Sequence, residues 1–395
     1  MSGGFMRLYG VFLLAITIFS GGQLQAQSCS AIDLRRTANS PLTSLPIENQ
    51  GEHGTCYAYA GATQSNYYML SHGFDINAQV SPLELAIVSS RLRHQSSLDG
   101  GVVGQALAAL RANGSYCPRS HLQAWFRQHI AGATEANMVS ILQGRLAPEA
   151  RREFMRNIEN FHRDYRASLA RESSPPASML SSGTLARRRL RESELTMRRG
   201  RDLLVQAMPD FCVDCIRELN VVERREHYLF MDRMVRWLMA HESANDTEIF
   251  AEIVDIACQG HRLPSNVLPT NISYRQDSNS ALIQRLNGEL ESAQAAPPSI
   301  EMCSQVLAQP NYQGVHMNPG NVRMPIDGDE CGNHAVLVIA RRPHGVHGCQ
   351  YLIRNSWGGK HFGNYHSSFE FEDGGVWLTT EQIQENTFTL SLLGN

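Results

Sequence analysis

The chain has 395 residues, of which 42% are hydrophobic and 18% charged, and its formal net charge is -3. That composition belongs to an ordinary globular protein and excludes a filament or a wholly disordered chain. So small a net charge provides no global field to recruit nucleic acid or an anionic membrane, and partners must be sought at local sites.

The N-terminus reads as an export signal. Arg7 precedes an apolar run from Leu8 to Phe19, and small and polar residues then lead to Leu24-Gln25-Ala26, a small-residue cleavage site that gives residues 1–26 as signal peptide. The run is short for a membrane span. The other readings are an uncleaved anchor helix and a lipoprotein attached through Cys29, the latter disfavoured by the polar Gln27-Ser28 before the cysteine. Nine cysteines in an exported chain point to disulfides, and the odd number leaves at least one thiol unpaired. Eight paired cysteines allow too many connectivities for any to be assigned.

Residues 40–120 combine helical patterning with glycine turns. Thr55 stands where it can cap a helix beginning at Cys56, and the alanines that follow are good helix formers. A cysteine at a helix N-terminus feels the positive end of the helix dipole, which favours thiolate and makes Cys56 the expected reactive thiol. Gln50 lies six positions earlier across a glycine-containing loop, where its amide could donate to an oxyanion. Further on, Asp99-Gly100-Gly101 marks a glycine-rich turn.

From 121 to 294 charge density rises and apolar residues recur at helical spacing, notably in Tyr228 to Met239 and Glu248 to Ala257. This zone is expected to be helical, broken by the polar, small-residue segment Glu172 to Gly183. The arginine run Arg187-Arg188-Arg189-Leu190-Arg191 is interleaved downstream with Glu192, Glu194 and Asp202, so a solvated helix face explains it better than nucleic-acid binding. Cys212-Val213-Asp214-Cys215 looks like half a zinc site or a redox pair, but an exported chain favours bridges. Residues 295–395 alternate apolar and polar positions in short strands, Ala335 to Ala340, Tyr351 to Arg354 and Val376 to Thr379.

Three motifs carry the chemistry. The segment Gln50-Gly51-Glu52-His53-Gly54-Thr55-Cys56-Tyr57-Ala58 resembles the active-site signature of the papain and cathepsin family of cysteine peptidases, with Tyr57 where that family usually has Trp. Cys331-Gly332-Asn333-His334-Ala335 resembles its histidine segment, and Ile353-Arg354-Asn355-Ser356-Trp357-Gly358 its Asn-Ser-Trp-Gly sequence. The resemblance implies Cys56 as nucleophile, His334 as general base, Asn355 as the acceptor that fixes the His334 tautomer, Trp357 as its shield from water, and Gln50 in the oxyanion hole. Fainter matches at Ser81 to Leu85, at Asp99-Gly100-Gly101 and at Pro298-Ser299-Ile300 lie in the same order. Gly100 and Gly101 would line the cleft, where bare backbone lets an extended peptide pair with the main chain.

The implied fold is α+β and two-lobed, with a helical N-terminal lobe at 40–120, a helical insertion at 121–294 and a β-rich C-terminal lobe at 295–395. The implied reaction is peptide hydrolysis through a Cys56 thioester, without metal or organic cofactor, by a secreted or periplasmic monomer acting on proteins or peptides. A catalytically silent peptide-binding relative and a transpeptidase or amidase are the rival readings.

The chain departs from the family in three ways. His53 and Leu98 occupy positions where most members carry a bridging cysteine pair, so the loop before Cys56 is expected to be less braced. Only about thirteen residues separate Ala26 from Asn39, too few for the usual helical propeptide. Finally, 278 positions separate Cys56 from His334, about 130 more than the family's spacing, and the insertion accounts for them. Its expected place is beside the cleft as a lid or exosite, with Ser173 to Gly183 as an activation cleavage site.

Overall fold

A computed structural model describes residues 29–51, 53–129, 233, 237, 240–241, 244–269, 271–275, 279–292, 296–317, 323–325, 331–345, 348–359 and 365–394. The N-terminal segment read as an export signal, Glu52, the 172–183 segment, the arginine run, Cys212, Cys215 and most of 228–239 lie outside these residues.

After a short strand β1 (Ile32–Asp33) comes helix α1 (Cys56–Ser71), thirteen of whose sixteen residues are buried. A helix covered on all sides runs through the middle of a protein rather than along its surface. Ala58, Ala60, Gly61 and Ala62 keep it slim, so that α2 (Pro82–Leu92) and α3 (Val103–Ala112) pack closely on it. The Ser81 hydroxyl caps α2 by accepting the Glu84 N–H at 3.3 Å. Strand β2 (Ser115–Tyr116) and helix α4 (Arg119–His129) follow.

Helix α5 (Asp246–Ala257) packs on α2 and is opened by a reciprocal cap between Asn245 and Glu248. The Cys117–Cys258 disulfide fastens its end to the end of β2, and β3 (Leu263–Pro264) pairs with β2. Next come β4 (Asn271–Arg275), α6 (Asn279–Glu291), β5 (Ser299–Cys303), α7 (Gln305–Ala308), β6 (Val315–Met317), β7 (Arg323–Pro325), β8 (Asn333–His344), β9 (Gly348–Arg354), β10 (Phe371–Glu372), β11 (Gly375–Thr379), α8 (Thr380–Asn386) and β12 (Thr387–Gly394). The zone expected to be helical to residue 294 thus contains strands: in β4 apolar Ile272 and Tyr274 alternate with polar neighbours, and β4 pairs with β12 at the edge of the main sheet.

The main sheet is antiparallel in the order β10-β11-β9-β8-β5-β12-β4, with β1 added along β8 beyond the end of β5. The class is therefore α+β, with helices first and most strands after them. Among the described residues no helix is long and apolar enough to cross a membrane.

The helices meet the sheet on one face, where Ser299, Glu301, Ala335, Leu337, Thr389 and Ser391 stand in register across β5, β8 and β12. The meeting is polar as well as apolar. Gln64 of α1 donates to the carbonyls of Pro297 and Ser391 at 2.9 and 3.1 Å. Helix α3 has Val102 at its cap position, with no side-chain oxygen to offer, so the sheet supplies the acceptors: Val103 N–H donates to Glu301 Oε1 at 2.8 Å and Gly104 N–H to Ser391 Oγ at 3.1 Å.

Candidate active site

Cys56 opens α1, as expected, but Thr55 does not cap it with its hydroxyl: only the Thr55 carbonyl takes part, accepting from the Ala58 and Tyr59 N–H groups. The Thr55 backbone is not extended as a capping side chain requires (φ -97°, ψ 15°), which accounts for the difference. Three disulfides, Cys29–Cys349, Cys117–Cys258 and Cys303–Cys331, leave Cys56 as the free thiol among the described residues.

His334 sits at the start of β8 opposite Met302 of β5, and the Cys303–Cys331 bridge ties the two strand ends together beside it. His334 and Asn355 meet, with Nε2 and Oδ1 2.6 Å apart. The Asn355 amide is oriented by its own network: Oδ1 also accepts the Ser356 N–H at 2.7 Å, while Nδ2 donates to the Tyr365 hydroxyl at 2.9 Å. Because Oδ1 can only accept, the neutral His334 ring carries its proton on Nε2 and leaves Nδ1 unprotonated. Trp357 covers this pair, its ring 4.6 Å from that of His334, and Tyr365 packs on Trp357 in turn. Ala335, the neighbour of His334, points its N–H at the Cys56 sulfur, so the start of β8 and the start of α1 face each other.

A short two-strand contact holds Gln50 to the same corner. Gln50 N–H donates to Ser356 O, Gly358 N–H donates to Glu48 O, both at 2.8 Å, and Asn49 bridges Trp357. The Ser356 hydroxyl donates to Gln50 Oε1, and Gln50 Nε2 gives one of its two hydrogens to the His53 carbonyl at 2.6 Å. Two arginines anchor the segment from behind. Arg119 makes a buried, two-pronged ion pair with Glu48, and Arg354 donates to the carbonyls of Leu45 and Pro46 at 2.8 and 2.7 Å.

The glycine pair lies against the start of α1. Gly100 N–H donates to Gly54 O at 2.8 Å, Gly54 N–H to Asp99 Oδ1 at 2.8 Å, and the Tyr57 hydroxyl to Leu98 O at 3.0 Å. Hydrogen bonds thus join the loop before Cys56 to the Leu98–Gly100 segment. Gly101 is pressed on the Tyr57 ring so closely that a Cβ there would lie 2.6 Å from it.

Burial sets the electrostatics, and here the sequence expectation fails in sign. Burial pushes the Cys56 thiol up to about 11, outweighing the N–H groups of Ala335 and Tyr57 that favour thiolate. Burial likewise holds His334 down to about 4, although the Asn355 contact opposes that. Burial thus favours the neutral thiol at Cys56 and the neutral imidazole at His334.

Sequence reasoning missed Tyr365, because nothing in its local context marks it; Asp99 was read only as part of a turn and not as the acceptor of the Gly54 N–H. Among the described residues no group of His, Cys, Asp and Glu is arranged to hold a metal ion.

Neither the scan against protein-family models nor the search of curated proteins returns a match. Among solved structures the chain is similar to xylellain, a cysteine protease from Xylella fastidiosa, at 15% identity over 94% of this chain and 88% of that one, with a TM-score of 0.39.

Proposed function

We propose that the protein is a secreted papain-like cysteine peptidase that hydrolyses peptide bonds through a thioester on Cys56. The observation that carries this reading is the pairing of His334 Nε2 with Asn355 Oδ1 at 2.6 Å under Trp357, beside the strand start whose Ala335 N–H reaches the free thiol of Cys56. As the Cys56 sulfur attacks a substrate carbonyl, His334 Nδ1 accepts the thiol proton. The thiolate and imidazolium formed then stabilise each other, offsetting the burial that keeps each neutral at rest. Oxygen charge developing on the carbonyl is met by the Gln50 amide hydrogen that the His53 carbonyl leaves free and by the Cys56 N–H. His334 then returns its proton to the leaving amine, and water cleaves the thioester with His334 again as base. Gly100 and Gly101 would hold the extended peptide by its backbone. The disulfides fit an oxidising compartment, in keeping with export.

The test is labelling of the signal-free chain by a broad epoxide inhibitor of papain-like enzymes, with the modified residue mapped by mass spectrometry and Cys56→Ala as control. Modification at Cys56 alone supports the reading. A folded, mature protein that stays unlabelled supports the silent peptide-binding alternative.

A further inference from the structure

The chemistry above makes no use of Glu301, a carboxyl only 4% exposed within the face where helices meet sheet. On its own sheet, Ala335 of β8 and Thr389 of β12 stand directly opposite it, and Thr389 gives it a side-chain hydrogen bond. From the helical side, the Val103 N–H at the start of α3 donates to Oε1 at 2.8 Å. Directly paired residues of neighbouring antiparallel strands have Cα atoms about 5 Å apart, and the partner here is Ala335, whose N–H meets the Cys56 sulfur. Glu301 therefore lies one strand away from the thiol.

No cation balances it: among the described residues Glu301 makes no ion pair in the structure. The titratable groups near it are Cys56, brought by α1, and His334, one position before Ala335 on β8. At this contact α3 brings Val103 and Gly104, and β12 brings Thr389 and Ser391, none of them charged. A negative charge at Glu301 therefore opposes a thiolate on Cys56, across a buried interface that screens poorly.

We propose that Glu301 is a positioning residue that governs the ionisation of Cys56, permitting the thiolate while it is protonated and opposing it once ionised. Burial carries the Glu301 carboxyl up to about 7, so it changes charge near neutrality. The N-terminus of α3 holds the carboxyl in place in either state, and a Cys56–Glu301 pair titrates as a unit. Nucleophile reactivity is thereby restrained on the alkaline side.

The inference rests on Cys56 being the nucleophile, but its test reads the thiol and not peptide hydrolysis, so the two can fail separately. Alkylation of Cys56 by iodoacetamide is followed in the full chain across neutral and alkaline pH for wild type and Glu301→Gln, with the labelled residue assigned by mass spectrometry. Gln keeps an acceptor for the Val103 N–H while removing the charge. The expected result is alkylation about 3- to 10-fold faster in the variant at pH above 8, equivalent to a thiol shift of up to one unit, and the same effect in a His334→Ala background. Superimposed profiles, or an effect that vanishes without His334, would overturn the proposal. Should Glu301→Gln not fold, Glu301→Ala makes the same comparison, with the same two outcomes.

Discussion

Asn355 presents its carbonyl oxygen to His334 because its amide nitrogen is held by the hydroxyl of Tyr365, 2.9 Å away. Flipping that amide would set a donor against the protonated Nε2 of His334, and the ring would lose its orientation. Tyr365→Phe removes the acceptor while keeping the packing on Trp357 and Phe371. The loss of one neutral hydrogen bond, about 1 kcal/mol, predicts a roughly 5-fold fall in kcat with KM little changed. Steady-state kinetics on a peptide amide would check it, and an equal rise in KM would point instead to a binding role.

Gln50 is held in place by Ser356 on one side and the His53 carbonyl on the other. Gln50→Ala should lower kcat by roughly 10²- to 10³-fold, the size seen when one oxyanion donor is removed. Alkylation of Cys56 should be nearly unaffected, because the thiol does not need that donor. A comparable loss in both measurements would show that the variant had disturbed the start of α1.

The pH dependence follows from burial. In the proposed reaction His334 must be neutral to accept the thiol proton, and burial holds it down to about 4, so kcat/KM should hold down to mildly acid pH and fall as pH drops through about 4. The same shift acts on stability. A histidine depressed from 6.5 to about 4 contributes stability that is present above 6.5 and is lost as pH falls through 4, on the order of 3 kcal/mol in all. Denaturant titrations of wild type and His334→Ala between about pH 7 and 4 should converge as the wild type loses that term.

Glu301 works in the opposite direction. Its folded value is raised from 4.5 to about 7, so its contribution is present below 4.5 and lost as pH rises through 7. Relative to Glu301→Gln, the wild type should lose up to about 3 kcal/mol between pH 4 and 8. Parallel unfolding curves for the two proteins across that range would contradict this placement of the carboxyl.

The residues of the candidate site were legible in the sequence because they announce themselves locally. Cys56 needs a helix start, His334 a strand start and Asn355 the turn after a strand, and each carries its own short motif. Helix α2 begins where Ser81 to Leu85 resembles the family's helix start, and α5 was marked by the apolar spacing from Glu248. What could not be read depends on burial or on distant partners. Glu301 sits in Ser-Ile-Glu-Met-Cys, where alternation puts it on a polar face, yet the structure buries all five residues because helices cover that face as well. The sign of the Cys56 shift was missed for the same reason: a helix N-terminus favours thiolate, but burial of the thiol is the larger effect. Tyr365 lies ten positions beyond Asn355, and Arg119 meets Glu48 across 71 positions, spacings that no local pattern encodes.

Gly101 is a packing requirement rather than a sequence ornament. A Cβ there would meet the Tyr57 ring at 2.6 Å, so Gly101→Ala should destabilise the fold by about 1–3 kcal/mol and shift the Asp99–Gly100 turn from Gly54. Thermal unfolding with and without the substitution checks the magnitude. No change in stability would mean that the tyrosine ring moves aside freely.

The central claim is that Cys56, worked by His334, cleaves peptide bonds. Hydrolysis of a denatured protein by the signal-free chain, compared with Cys56→Ala under reducing conditions and in the presence of a chelator, tests it most directly. The account predicts cleavage by the wild type and at least a 10³-fold loss in the variant, with both folded to the same extent. Cleavage that survives in Cys56→Ala, or none by a wild type whose Cys56 thiol is reduced and accessible to alkylation, would contradict it.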